Sequence, residues 1–298
     1  MSRCGPTSGA LLPSRRALLA AAAGAVLPRS PALAAGAAPP RIAAIDWAML
    51  ETALALGAEV VAGAELVLYR RLVVEPPIPD RVADLGLRGS LNFEALLRAA
   101  PDLILSAPWY GRIEGQLGRI APVLSLRIDQ RGRPPYAAAI EATRIAAARV
   151  GREGEAERVV AETEAALAAA AQRLASRRGE RVFVISVGDP RHFRAFGPDS
   201  MHGAVLDRLG LASAWTGNTR YVAQAPVDIL TLAQDPGASI VIVGPLPPDA
   251  ARALPQSALW NALPAVRENR VRMLAPVNPF GALPTAARFA RLLAEALA

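Results

Sequence analysis

The chain has 298 residues, 52% of them hydrophobic and 20% charged, with a formal net charge of +7. All of its basic side chains apart from two histidines are arginines, and discounting the four in the leader leaves about +3, so the charge gives no support to a nucleic-acid partner. The single cysteine, Cys4, precedes the first apolar run, which excludes a disulfide framework or a thiolate metal site once a leader is removed.

Residues 1–34 read as that leader. Ser14-Arg15-Arg16 precedes an alanine-rich apolar run, 17–27, which Pro28 interrupts, and the small-residue sequence Ala32-Leu33-Ala34 follows. Paired arginines, a short apolar core and an A-x-A site are the marks of a twin-arginine signal peptide. The run is far shorter than the roughly 20 residues of a spanning helix. Cleavage after Ala34 and a periplasmic location are therefore expected, and no cysteine stands at that site to carry a lipid.

From residue 41 to about 132, short apolar runs at 41–45, 59–62, 82–85, 102–106 and 123–126 read as strands, with helices near 49–56 and 92–99. Asn92 is a natural N-cap for the second helix, whose apolar stripe is Phe93, Leu96 and Leu97. Residues 136–176 are nearly continuous helix former, broken at Gly151-Arg152-Glu153-Gly154, which predicts two helices. In the later one, Val160, Thr163, Leu167, Ala170 and Leu174 mark a buried face. Pro134-Pro135 is where the chain leaves the first lobe, so 133–152 is expected to be an interdomain helix. Alternation resumes in 153–298, with strands at 182–187, 239–243 and 271–274 and helices near 204–209, 257–263 and 284–297. The expected fold is α/β: two α/β lobes joined by a long interdomain helix, with a cleft between them and little hinge motion.

Catalytic signatures are missing. The sequence contains no G-x-S-x-G, H-E-x-x-H or helix-opening G-x-G-x-x-G, and a P-loop would need a lysine. His192 and His202 are expected to be hydrogen-bonded structural histidines, and they supply too few ligands for a bare transition-metal ion. A metal, if one is involved, would arrive already chelated. In "DLGLRGSLNFEALL", 84–97, a lone Arg88 sits in a glycine-flanked bend after a strand, the kind of place where open α/β sheets meet ligands.

Together with "SAPWYG" (106–111), this bend carries a resemblance. The ordered set "EPPIPDRVADLGLRGSLNFEALL", "RIAP", "DPRHFRAFGPDS", "LDRLGLASAW" and "SALWNALPAVRENRV" is similar to the periplasmic iron(III)-hydroxamate siderophore-binding proteins of ABC transporters, the ferrichrome-binding type. The resemblance runs through nearly the whole mature chain and implies the helical-backbone periplasmic binding protein fold. By the family's pattern, Arg88 and Tyr110 bind the hydroxamate oxygens around the iron, a role that suits a planar fork of donors and a directed phenol. Trp47, Phe193 and Trp215 match pocket-lining positions, and Phe280 keeps the ring of a second pocket tyrosine without its hydroxyl. Glu94 and Asp228 are the acids expected to meet the inner-membrane permease, although Leu230 occupies the position that matches best on the second lobe.

Leu72, Leu105, Val222 and Asn278 stand where the family pattern has further tryptophans, and "TGNTRYVAQ" puts Arg220 and Tyr221 on a facing loop. These departures imply a less aromatic, more cationic pocket and a siderophore smaller or more anionic than ferrichrome. The protein is expected to be a monomeric binding component with no cofactor of its own. Two alternatives remain open at this point: haem or a corrinoid in the same fold, with His192 as an axial ligand, or an exported hydrolase using Asp84, Glu94 or His202.

Overall fold

A computed structural model describes residues 1–2, 5, 38–130, 133–219 and 223–298. From Pro39 to Ala298 the chain is one compact unit built on two sheets. The first comes from β1 (Arg41–Ala44), α1 (Trp47–Ala55), β2 (Glu59–Gly63), α2 (Leu66–Leu72), β3 (Ala83–Asp84), the hairpin β4 (Gly86–Leu87) and β5 (Ser90–Leu91), α3 (Phe93–Ala99), β6 (Leu103–Ser106), α4 (Gly111–Leu117) and β7 (Val123–Ser125). Its order is β3-β2-β1-β6-β7, with every pair parallel. The chain starts in the middle, winds outward through β3 and crosses back to β6. The carboxyl ends of β1 and β6 therefore flank a topological switch point, the position where such a sheet opens a crevice.

Two helices follow. α5 (Pro135–Val150) starts on a proline in its first turn and ends at Gly151, whose φ of 67° is one that glycine adopts without strain. α6 (Glu153–Arg173) buries Ala156, Val159, Thr163, Leu167 and Ala170, with Val160 at the edge of that face.

The second sheet comes from β8 (Arg181–Val187), β9 (His192–Phe196), α7 (Met201–Arg208), β10 (Ala212–Ser213), β11 (Gln224–Asp228), β12 (Ser239–Val243), α8 (Pro248–Ala253), α9 (Ala258–Ala262), α10 (Pro264–Arg267), β13 (Val271–Leu274) and α11 (Leu283–Leu297). Its order is β11-β9-β8-β12-β13, with β10 also on β8; the β8–β9 and β9–β11 pairs are antiparallel. Proline within β11 is tolerated because that strand lies at the edge.

One apolar cluster runs from Ile42 through α1, α5, α6 and α7 to Leu297 at the end of α11, so the inner faces of both sheets share a core. The outer faces have separate clusters, under α3 and α4 on the first sheet and under α8 to α10 on the second. His202 corrects an expectation. It is fully buried between Phe196, at 4.8 Å, and Phe289, at 4.3 Å, and neither ring nitrogen has a hydrogen-bond partner. His192 is hydrogen-bonded, to Asp189 at 2.9 Å. Among the described residues no helix is long and apolar enough to cross a membrane.

Candidate functional site

A cavity of about 300 Å³ opens beyond the carboxyl ends of β1, β6 and β7 and is closed from the other side by Met201 and the 279–281 loop. Most of its wall is apolar. Four polar side chains interrupt it: Asp46, Arg88, Tyr110 and Asp129.

Arg88 and Gly89 form the two-residue turn of the β4–β5 hairpin, which lifts the arginine off the sheet toward the cavity. Its guanidinium is held from two sides. Nε donates to Glu65 Oε2 at 2.7 Å, while the ring of Trp47 lies beneath, 3.9 Å from the guanidinium carbon to the ring centroid. Glu65 also accepts from the Arg88 backbone N–H at 3.1 Å, so the turn and its side chain are fixed together. With Nε committed to Glu65 and the Tyr110 hydroxyl also hydrogen-bonded to the guanidinium, the remaining Nη N–H groups are the donors left for a ligand. Trp47 is buried, donating from its ring nitrogen to the Ala64 carbonyl at 3.0 Å, and it does not line the cavity. It is the floor under Arg88 rather than the wall expected from the sequence.

Tyr110 ends a 3-10 turn, Pro108–Tyr110, directly after β6. Burial pushes its phenol up, with the Asp46 charge adding to that and Arg88 opposing it, so the hydroxyl stays a donor. Trp109 beside it is 65% exposed and lines the mouth. Trp109 was not expected at the site, although it lies inside "SAPWYG"; its signal in the sequence is a large aromatic on a tight turn with little chain around it to bury it. Asp46 was also missed. It caps α1 by accepting from the backbone N–H groups of Ala48 and Met49, and burial raises its pKa, as it does for Asp129.

The second lobe corrects two further expectations. Phe193 and Trp215 meet edge to face at 6.2 Å in the outer core, buried and away from the cavity. The reason is the two-residue period of β9: Phe193 and Ala195 face outward, and Phe196 joins the inner core. Arg194, from the same strand, reaches the ring of Phe280 at 5.4 Å. Phe280 lines the cavity and is 42% exposed. Asn278, Leu105 and Leu72 stay off the wall, the first buried in a hydrogen bond to Glu51. Arg220, Tyr221 and Val222 lie outside the described residues; on the described wall Arg88 is accompanied by Asp46 and Asp129. Glu94 is exposed in the first turn of α3, paired with Arg98 at 3.0 Å, and Asp228 is exposed at the end of β11. No group of three or more potential metal ligands occurs among the described residues.

Two sheets, the first with a switch point, a helical bridge and an apolar cavity with a few fixed polar groups define a bilobal solute-binding protein. Comparison with known families agrees: residues 42–277 match the periplasmic binding protein family. The chain belongs to that family. It is 33% identical over 292 residues to the iron(3+)-hydroxamate-binding protein FhuD of Escherichia coli (strain K12), covering 97% of this chain and 98% of that one. Among solved structures it is similar to the siderophore-binding protein FhuD from Vibrio cholerae with Fe3+-Desferal bound, with a TM-score of 0.79 and 27% identity over 87% of this chain and 98% of the other. The triscatecholate siderophore-binding protein FeuA from Bacillus subtilis shares the fold at a TM-score of 0.66 and 18% identity, over 86% and 91% of the two chains.

Proposed function

We propose that this chain is the periplasmic binding component of an ABC importer, that it captures a ferric hydroxamate siderophore in the cavity, and that it delivers the complex to an inner-membrane permease. The observation that carries the reading is the pairing of Arg88, clamped by Glu65 and Trp47, with the protonated Tyr110 on one mostly apolar cavity. The outer oxygens of an iron-hydroxamate complex are electron-rich and arranged around a compact centre. The remaining Nη donors of the guanidinium and the phenol O–H beside it recognise them without touching the metal, and the apolar wall takes the chelator's methylenes. The similarity to proteins named for iron(3+)-hydroxamate and Fe3+-Desferal binding supports the same ligand class.

The chain would be organised as a first lobe at 41–132, a bridging helix at 133–152 and a second lobe at 153–298, released as a monomer after twin-arginine export and removal of residues 1–34. Glu94 and Asp228, both exposed, are the proposed contacts with the permease. The protein would bind and not turn over its ligand. Haem ligation through histidine has no support in the cavity, since His192 pairs with Asp189 and His202 is sealed in the core.

Titrating the mature protein with Fe3+-Desferal, ferrichrome and a ferric carboxylate-hydroxamate, read by tryptophan fluorescence, tests the ligand class. Saturable one-to-one quenching by at least one ferric hydroxamate, with none by haem, is the expected result. Indifference to all of them would defeat the proposal.

A further inference from the structure

The first turn of α11 has no capping side chain of its own, because Ala282 occupies the N-cap. Its free N–H groups and the positive end of the helix dipole need an acceptor. That acceptor is Glu51, a fully buried carboxylate on α1, 231 residues earlier in the chain. Glu51 accepts from the backbone N–H groups of Ala282 and Thr285, from Thr285 Oγ1 at 2.9 Å and from Asn278 Nδ2 at 3.3 Å.

The loop gripped in this way is cavity wall. Pro279, Phe280 and Gly281 line the site, as do Ala48 and Met49 just before Glu51 on α1. Asn278 relays the grip, since its Oδ1 accepts from the Phe280 backbone N–H at 3.1 Å while its Nδ2 donates to Glu51. Gly281 belongs to the same device: a Cβ there would overlap the Thr285 side chain first and also stand 2.6 Å from Glu51 Oε1, the two groups that make the grip. A second tie, from Glu75 to Arg288 and Arg291 at 2.5 Å each, holds later turns of α11 away from the cavity wall.

We propose that Glu51 is a positioning residue for the ligand cavity: from the first lobe it fixes the second-lobe wall at 279–281, so siderophore affinity depends on a side chain that touches no siderophore. This rests on the cavity being the siderophore site.

The test compares the dissociation constant for Fe3+-Desferal in wild type, Glu51→Ala, Glu51→Gln, Gly281→Ala and Ile240→Ala, each alongside its melting temperature. Burial lifts the Glu51 carboxyl to about 7 against the pull of its donors, so titrations are run at pH 8, where the carboxylate prevails. Glu51→Ala and Gly281→Ala should each weaken binding about tenfold or more. Glu51→Gln, which keeps an acceptor for the α11 N–H groups, should return to within about threefold of wild type. Ile240→Ala, in the outer core of the second sheet, should lower the melting temperature with affinity unchanged. Hydrogen exchange at the Ala282 and Thr285 amides should quicken in Gly281→Ala and stay near wild type in Glu51→Gln, which reads the grip even if the Glu51 alanine variant does not fold. Altered melting temperatures with wild-type affinity in the Glu51 and Gly281 variants would overturn the proposal. If wild type itself bound no ferric siderophore, the ligand reading would fall, and this inference with it.

Discussion

The two walls of the cavity are built on different principles. The first-lobe wall projects from short turns at the carboxyl ends of parallel strands, and two of its polar groups are locked by neighbours: Arg88 by Glu65 and Trp47, Asp46 by the first turn of α1. The second-lobe wall is Met201 and a loop, 279–281, that presents Phe280 and offers no polar side chain to the cavity, its backbone held from behind by Asn278 and Glu51. A recognition group loses less entropy on binding when its rotamer is already fixed, so directional recognition belongs to the first wall and shape to the second. The aromatic pair expected to enrich the second wall, Phe193 and Trp215, contributes to stability instead.

If that division holds, the largest effect follows from removing the guanidinium. Arg88→Ala should weaken siderophore binding by about 100-fold, near 3 kcal/mol, since it deletes the charged donors and also leaves Glu65 without its partner. Arg88→Lys should recover little, because an ammonium cannot hold Glu65 through Nε and offer two further coplanar donors. Isothermal titration against a ferric hydroxamate measures both; a loss no greater than that in Phe280→Ala would put the walls on an equal footing.

Behind the second wall, the comparison can be sharpened without any ligand. Burial pushes the His202 pKa down from 6.5 to about 3. The native state therefore excludes a proton that the unfolded chain takes up below about pH 6.5, so stability declines as pH falls from there toward 3. At pH 4 the linkage amounts to about 3 kcal/mol. His202→Phe fills the same stack, removes two unpartnered nitrogens and should raise the melting temperature at pH 7 by a few degrees and more at pH 4. Thermal denaturation across pH checks this. A variant as acid-labile as wild type would mean that His202 is not the group responsible.

Tyr110→Phe is a smaller change. It deletes one neutral donor while keeping the ring on the wall, so about a fivefold loss of affinity is expected, close to 1 kcal/mol. Direct titration reads it, and an unchanged affinity would leave Arg88 as the sole directional group.

Much of the first wall was legible in the sequence because its signals are local. A strand, a glycine-flanked bend and an N-cap at Asn92 fall within a dozen residues, and the structure has Asn92 capping α3 through the Ala95 N–H. The helical pair broken at Gly151 was readable for the same reason. What escaped was long-range or set by strand phase. Nothing near Asp46 announces that α1 begins beside the cavity, and Glu51 acquires its partners from the far end of the chain. Phe193 was misplaced because a five-residue strand in which Phe, Arg, Ala and Phe succeed one another does not state which face is inward.

The smallest effect tests what the second wall lacks. Phe280 is partly exposed at the rim, with the Arg194 guanidinium 5.4 Å from its ring. Phe280→Tyr would add a hydroxyl at the edge of the cavity. Any gain is the difference between a new hydrogen bond to the ligand and the water it displaces, so a two- to threefold tightening, about 0.5 kcal/mol, is the expected size. It should appear as a slower dissociation rate with association unchanged, because the added contact forms only after docking. A gain of tenfold or more would mean that the second lobe can supply directional recognition as readily as the first, and the division between a wall that recognises and a wall that fits would have to be abandoned.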